Sequence, residues 1–209
     1  MGAEFSAEFA TLESDDWLID YVRERNSAPF QPRYPDTAAR YADRREVNLD
    51  DVRPLVALPD AVIRDCAPVD EVAGEPVQQA FLGSCANGTL DDLAEAARVV
   101  KGRKIAPWVR FLVTPATQAV FSAALRWGYI ATLMEAGAVV TPATCGACFG
   151  GHMGVLGPGE TCITASTRNF KGRMGDPSAR IYMASPATVA ASAIAGQIAA
   201  AAEITGDSA

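Results

Sequence analysis

The chain has 209 residues, enough for one sizeable domain or two small ones, and with 49% hydrophobic and 21% charged residues its composition is that of a folding chain rather than a disordered one. Lys and Arg number 18 against 25 Asp and Glu, so the formal net charge is −7, which argues against a broad nucleic-acid surface because phosphate binding needs clustered cations. No apolar run reaches the roughly 18 to 20 residues of a membrane-spanning helix, and the acidic start MGAEFSAEFATLESDD lacks the basic-then-apolar layout of a secretory signal, so a soluble, cytoplasmic protein is expected.

In chain order, a first helix is predicted with Ser14 as N-cap, Asp15 and Asp16 in its first turn, and Trp17, Tyr21 and Val22 on one side, ending near Asn26. Residues 27–70 are rich in Pro and charge and read as an extended, wrapping segment with at most one short strand, so residues 1–70 form an N-terminal helix-plus-wrap and 71–209 the main domain. From Val77 the pattern alternates between strands and helices. VQQAFLG reads as a strand, and TLDDLAEAARVVK as a helix capped by Thr89 and stopped by Gly102. WVRFLVT is a strand, TQAVFSAALRWG and YIATLMEAG are helices, and AVVTPA, ETCITA and ARIYMAS are strands, followed by an Ala-rich helix over Ala187–Glu203. This alternation predicts an α/β fold with a mostly parallel sheet covered on both faces.

The five cysteines, Cys66, Cys85, Cys145, Cys148 and Cys162, are an odd number in a chain without an export signal, which favours reduced thiols. The single histidine, His152, excludes a His-rich metal site; its place in FGGHMG suits ordering a Gly-rich loop better than serving a Ser-His-Asp triad. In open α/β sheets ligands bind at the carboxyl ends of the strands. Three unusual loops are predicted there: GSCANG (83–88), TCGACFGG (144–151) and STRNFKGR (166–173). The first two supply Cys85 and the pair Cys145 and Cys148. On spacing alone a zinc site completed by Cys162, Cys66 or His152, an iron–sulfur cluster, and a metal-free pair of loops all remain open. Arg168 and Arg173 in the third loop suit bidentate capture of carboxylates, against the plainer reading of a solvated basic loop. Beside a cluster with an open iron they make a coherent site for a di- or tricarboxylic hydroxy acid.

These three loops, in this order and followed by ASPATVAASAIAG, together with LVTPATQAVFSAAL and PGETCITAS, resemble the aconitase and isopropylmalate dehydratase superfamily, best the large subunit of the isopropylmalate dehydratase and homoaconitase branch. The resemblance implies a three-layer aconitase-type α/β domain preceded by the wrapping segment. It implies that Cys85, Cys145 and Cys148 ligate a [4Fe–4S] cluster, that Asn87 and Thr167 lie beside it, and that Arg168 and Arg173 grip substrate carboxylates. Glu4, in MGAEFSAEF, would be the active-site glutamate that hydrogen-bonds the iron-bound hydroxyl or water. Cys66 and Cys162 have no ligand counterpart. Two departures stand out: Ala86 replaces the usual threonine of GSCANG, and Thr167 replaces the usual asparagine of STRNF. The family's N-terminal region and its small swivelling domain have no counterpart in these residues. The resemblance therefore implies two partners, an N-terminal large-subunit half and a small swivel-domain subunit, which supply acid–base residues. The implied activity is a hydro-lyase acting on isopropylmalate-, methylmalate- or homoaconitate-like acids. The alternatives are an aconitase-like isomerase of a specialised pathway and a non-catalytic iron–sulfur or zinc-binding module.

Overall fold

The computed structural model describes residues 7–60 and 65–206; Glu4 lies outside them. The chain divides into two compact units, Met1–Val52 and Arg53–Ala209. In the first, helix α1 (Asp16–Arg25) is capped not by Ser14 but by Asp15, whose Oδ1 accepts from Leu18 N at 2.8 Å. A carboxylate one residue closer to the helix reaches the unpaired amides directly and adds its charge to the positive end of the helix dipole. Trp17 stacks on Tyr21, and the Arg25 guanidinium lies 3.7 Å from the Tyr21 ring centroid.

The second unit is built on one seven-stranded sheet of order β2-β1-β7-β6-β3-β4-β5. Its strands are β1 (Leu55–Ala57), β2 (Cys66–Pro68), β3 (Gln79–Gly83), β4 (Arg110–Thr114), β5 (Val139–Val140), β6 (Thr161–Thr164) and β7 (Arg180–Met183), and the single helical turn α2 (Val69–Val72) follows β2. The five strands from β7 to β5 pair in parallel, and β1 and β2 add an antiparallel edge on β7. That edge comes from the Pro-rich segment read as a wrap with at most one short strand. Leu55–Ala57 and Cys66–Pro68 are too brief to show alternation, and pairing with each other and with β7 makes them strands.

One face of the sheet packs against helices. Helix α3 (Leu90–Val100) buries Leu93, Ala96, Ala97, Val99 and Val100, the spacing of a single helical stripe. Its Thr89–Asp92 capping box fixes its start. Helices α4 (Gln118–Arg126) and α5 (Tyr129–Ala136) and the Ala-rich α6 (Pro186–Ala195) complete this layer, where Ala80, Leu82, Phe111, Val113 and Ile163 meet the helices. The other face is covered by irregular chain: Phe81, Leu112, Cys162 and Ile181 pack under Ala147, Cys148, Leu156 and Met174. The chain between β5 and β6 and the loop between β6 and β7 thus form the third layer.

The Ala-rich tail is not one helix. Chain direction breaks at Gly196, at φ 73°, before α7 (Ala201–Thr205). A side chain at Gly196 would meet the Trp108 ring at 2.4 Å, and Ile198 N donates instead to Glu75 O at 2.8 Å. The Trp108 contact and the pairing of Gln197 with Pro76 override the helix propensity of the alanines.

Candidate functional site

From β3 the chain moves outward through β4 and β5, whereas β6 and β7 lie on the other side of β3, so the strand order reverses between β3 and β6. Such a switch point opens a crevice at the carboxyl ends of the strands. The loop after β3 carries Cys85 and Asn87, the loop after β6 carries Ser166 to Arg173, and Asn87 Nδ2 joins them by donating to Ala165 O at 2.6 Å. The β3 loop turns through Gly83 at φ 94° and Ser84 at φ 148°. A side-chain-bearing residue at such a φ stores about 1–3 kcal/mol of strain, which accumulates at functional sites. Side chains at Gly83 and Gly88 would meet Thr114 O at 2.1 and 2.4 Å, so these two glycines let the Cys85 loop close onto the end of β4.

The Cys145–Cys148 pair follows β5. The buried hydroxyls of Thr114 and Thr141 hydrogen-bond at 2.8 Å across the ends of β4 and β5, and Gly146, at φ 56°, seats the turn on the Phe81 ring. A 3-10 turn over Gly146–Phe149 then brings Cys145 Sγ to 3.7 Å from Cys85 Sγ, with both residues exposed. The hydrogen bond with Cys85 and its like charge push the Cys145 thiol above the ordinary cysteine value. Cys148 is buried, and its partner is Arg173, whose Nε donates to Cys148 O at 2.5 Å while Nη2 lies 3.7 Å from the Sγ. None of the five cysteines is in a disulfide. Among the described residues, no three His, Cys, Asp or Glu side chains close on a point suited to one metal ion.

The thiols nominated to complete a zinc site lie elsewhere. Cys162 is fully buried under the loop layer, where burial pushes it up to about 12, and Cys66 is in the edge strand β2. Oxidised glutathione is expected to join Cys85 to Cys145 rather than Cys145 to Cys148: one thiolate attacks the glutathione disulfide, then the second displaces the remaining glutathione. Peptide mapping reads the linkage, and recovery of the Cys145–Cys148 disulfide as the main product counts against the 3.7 Å contact.

In the third loop Asn169 is the anchor. It is buried and donates to Leu58 O at 2.6 Å and Ile181 O at 3.3 Å, tying the loop to β1 and β7. Thr167 and Arg168 are half-buried beside it, and Arg168 Nη1 donates to Thr167 O at 2.9 Å. Arg173 lies against Phe170, its guanidinium 5.4 Å from the ring centroid. Two side-chain atoms among the described residues are buried without a partner, Ser166 Oγ in the third loop and His152 Nδ1 directly after the second. Nothing in the sequence marks Ser166 beyond its place before Thr167, and burial of its hydroxyl is visible only in the fold.

The sequence profile of the aconitase family (aconitate hydratase) matches residues 61–196, which hold all three site loops. The chain belongs to the aconitase family. It is 54% identical over 197 residues to the 3-isopropylmalate dehydratase large subunit of Mycolicibacterium smegmatis, covering 94% of this chain and 47% of that protein. It is 50% identical over 165 residues to the homoaconitase large subunit of Thermus thermophilus, covering 79% of this chain and 39% of that protein. A third relative, the 3-isopropylmalate dehydratase large subunit of Caldivirga maquilingensis, is 44% identical over 198 residues, 95% of this chain and 47% of that protein. This aconitase-family chain therefore spans about half the length of the relatives it matches. No helix among its described residues is long and apolar enough to cross a membrane.

Proposed function

We propose that this chain is the cluster-carrying part of a hydro-lyase that removes and re-adds water on a hydroxy di- or tricarboxylic acid. The observation that carries the reading is the convergence of thiol-bearing and arginine-bearing loops on one switch point: Cys85 and Cys145 in Sγ contact, Cys148 held by Arg173, and Asn87 bonded across to the arginine loop. Three thiols outside any disulfide on two glycine-hinged turns, with an unpartnered buried hydroxyl at Ser166, fit a thiolate-held [4Fe–4S] cluster. Tetrahedral structural zinc takes a fourth protein ligand, and Cys66 in β2 and the buried Cys162 in β6 lie away from these turns. Cys85, Cys145 and Cys148 would hold the cluster, with Asn87 and Thr167 beside it. When bound, the cluster supplies a Lewis-acidic iron for the substrate's hydroxyl and carboxylate.

The chain's own residues bind and orient. Arg168 and the Nη1 side of Arg173 receive carboxylates, and Asn169 fixes the backbone between them so that the two cations keep their spacing. The base that takes the proton alpha to a carboxylate comes from partner chains, an N-terminal large-subunit half and a small swivel-domain subunit, with Glu4 as this chain's own hydrogen-bonding group. The names of the relatives favour isopropylmalate-like and homoaconitate-like substrates. Thr167, lacking the amide usual in relatives, bears on cluster stability and substrate choice. Anaerobic reconstitution is expected to load about four irons and four sulfides per chain. Each of Cys85→Ser, Cys145→Ser and Cys148→Ser should lower that content. Zinc without sulfide in the anaerobically purified chain would overturn the assignment.

A further inference from the structure

Arg173 does not behave as a free carboxylate clamp. Its Nε is spent on the Cys148 carbonyl at 2.5 Å, and Nη2 faces the Cys148 thiol at 3.7 Å. The segments on either side are zipped together. Leu156 N donates to Met174 O at 2.8 Å, Asp176 N to Leu156 O at 2.9 Å, and a side chain at Gly150 would meet Arg173 O at 2.9 Å. Beneath this zipper, Ala147, Cys148, Leu156 and Met174 share one buried cluster with Phe81 and Leu112. The zipper's backbone bonds run from Leu156 to Asp176, but at the cysteine turn the hydrogen bonds to the arginine loop come from the Arg173 side chain. The turn has its own bonds, Cys148 N to Cys145 O at 3.3 Å and Gly150 N to Ala147 O at 2.9 Å, and the first of these is long.

We propose that Arg173 is a positioning residue for Cys148: its guanidinium fork locks the Cys145–Cys148 turn onto the arginine loop and so sets the orientation of the third thiol. This rests on the proposed cluster-carrying role and deepens it. The arginine is shared between cofactor loop and substrate loop, so only its Nη1 side is left for a carboxylate, and carboxylate capture and thiol presentation are linked through one side chain. Lysine at this position keeps the charge but cannot span carbonyl and thiol with a planar fork.

The test uses the cluster-free chain. Alkylation by iodoacetamide is followed cysteine by cysteine by mass spectrometry in wild type, Arg173→Lys and Arg168→Lys. In Arg173→Lys, loss of charge-assisted bonds should raise the Cys148 labelling rate about tenfold. Cys162, fully buried in the same loop-covered layer, should stay unlabelled, and Arg168→Lys should leave Cys148 at the wild-type rate. After anaerobic reconstitution, Arg173→Lys should also lose iron and sulfide faster than Arg168→Lys. An unchanged Cys148 rate, or Cys148 and Cys162 accelerating together as in general loosening, overturns the positioning role. Failure of the wild-type chain to take up iron and sulfide overturns the cluster reading instead, and the labelling comparison separates the two.

Discussion

Phe81→Ala is expected to destabilise the Arg53–Ala209 unit by about 3–5 kcal/mol, the range for emptying a phenylalanine site in a packed core. Phe81 is fully buried in the middle of β3, and its ring supports the loop-covered face together with Leu112, Leu156, Met174 and Ile181. A second consequence follows from where the ring points. A side chain at Gly146 would lie 2.7 Å from Phe81 Cζ, so the cysteine turn rests on this ring. Loss of the ring should therefore loosen the Cys145–Cys148 turn as well as the core. Urea denaturation gives the stability change, and the yield of the Cys85–Cys145 disulfide under oxidised glutathione reads the turn. A loss under about 1 kcal/mol with an unchanged yield would mean that the loop layer supports itself.

The other large effect is expected at Gly83. Alanine there places a methyl group 2.1 Å from Thr114 O and 3.2 Å from the Gly88 Cα, both backbone, at a φ of +94°. Neither neighbour can rotate away, so β3 and β4 must part or the Cys85 loop must re-route. The cost should be about 3 kcal/mol or more, the sum of overpacking and backbone strain. Gly74→Ala is the matched control, because Gly74 also has positive φ, +90°, but nothing within 4 Å of the added methyl. It should cost only about 1 kcal/mol. Gly83→Ala should also abolish the preference for the Cys85–Cys145 linkage. Equal costs at the two positions would show that φ alone, not the approach to Thr114, fixes the glycine.

The strands and helices from β3 to α5 were legible because each carries its own local signal. In α3 the apolar stripe, the Thr89 cap and the stop at Gly102 agree, and agreement between levels makes a segment readable. The segments read as strands after α5 hold only short cores of strand, two residues in β5 and four each in β6 and β7, because pairing rather than composition decides where a strand ends. The placement of three loops rich in thiols, glycines and arginines at strand ends was legible as well, because such a composition is unusual enough to stand out. What lay beyond the sequence was the pairing within the site. A Cys-x-x-Cys motif suggests that its two thiols face each other. In the fold Cys145 meets Cys85, 60 positions away, and Cys148 turns under Arg173.

The sequence by itself determined the fold class, the three chemical loops and the family, since all of these follow from local composition, periodicity and the order of motifs. Only the tertiary structure decided the partners: the edge strands β1 and β2, the break at Gly196 imposed by Trp108, the buried hydroxyl of Ser166 and the arginine fork on Cys148. Each of these joins groups distant in the chain or depends on what encloses them, and such contacts are chosen by packing and by the need to pair buried polar groups, neither of which leaves a periodic trace in the residues concerned.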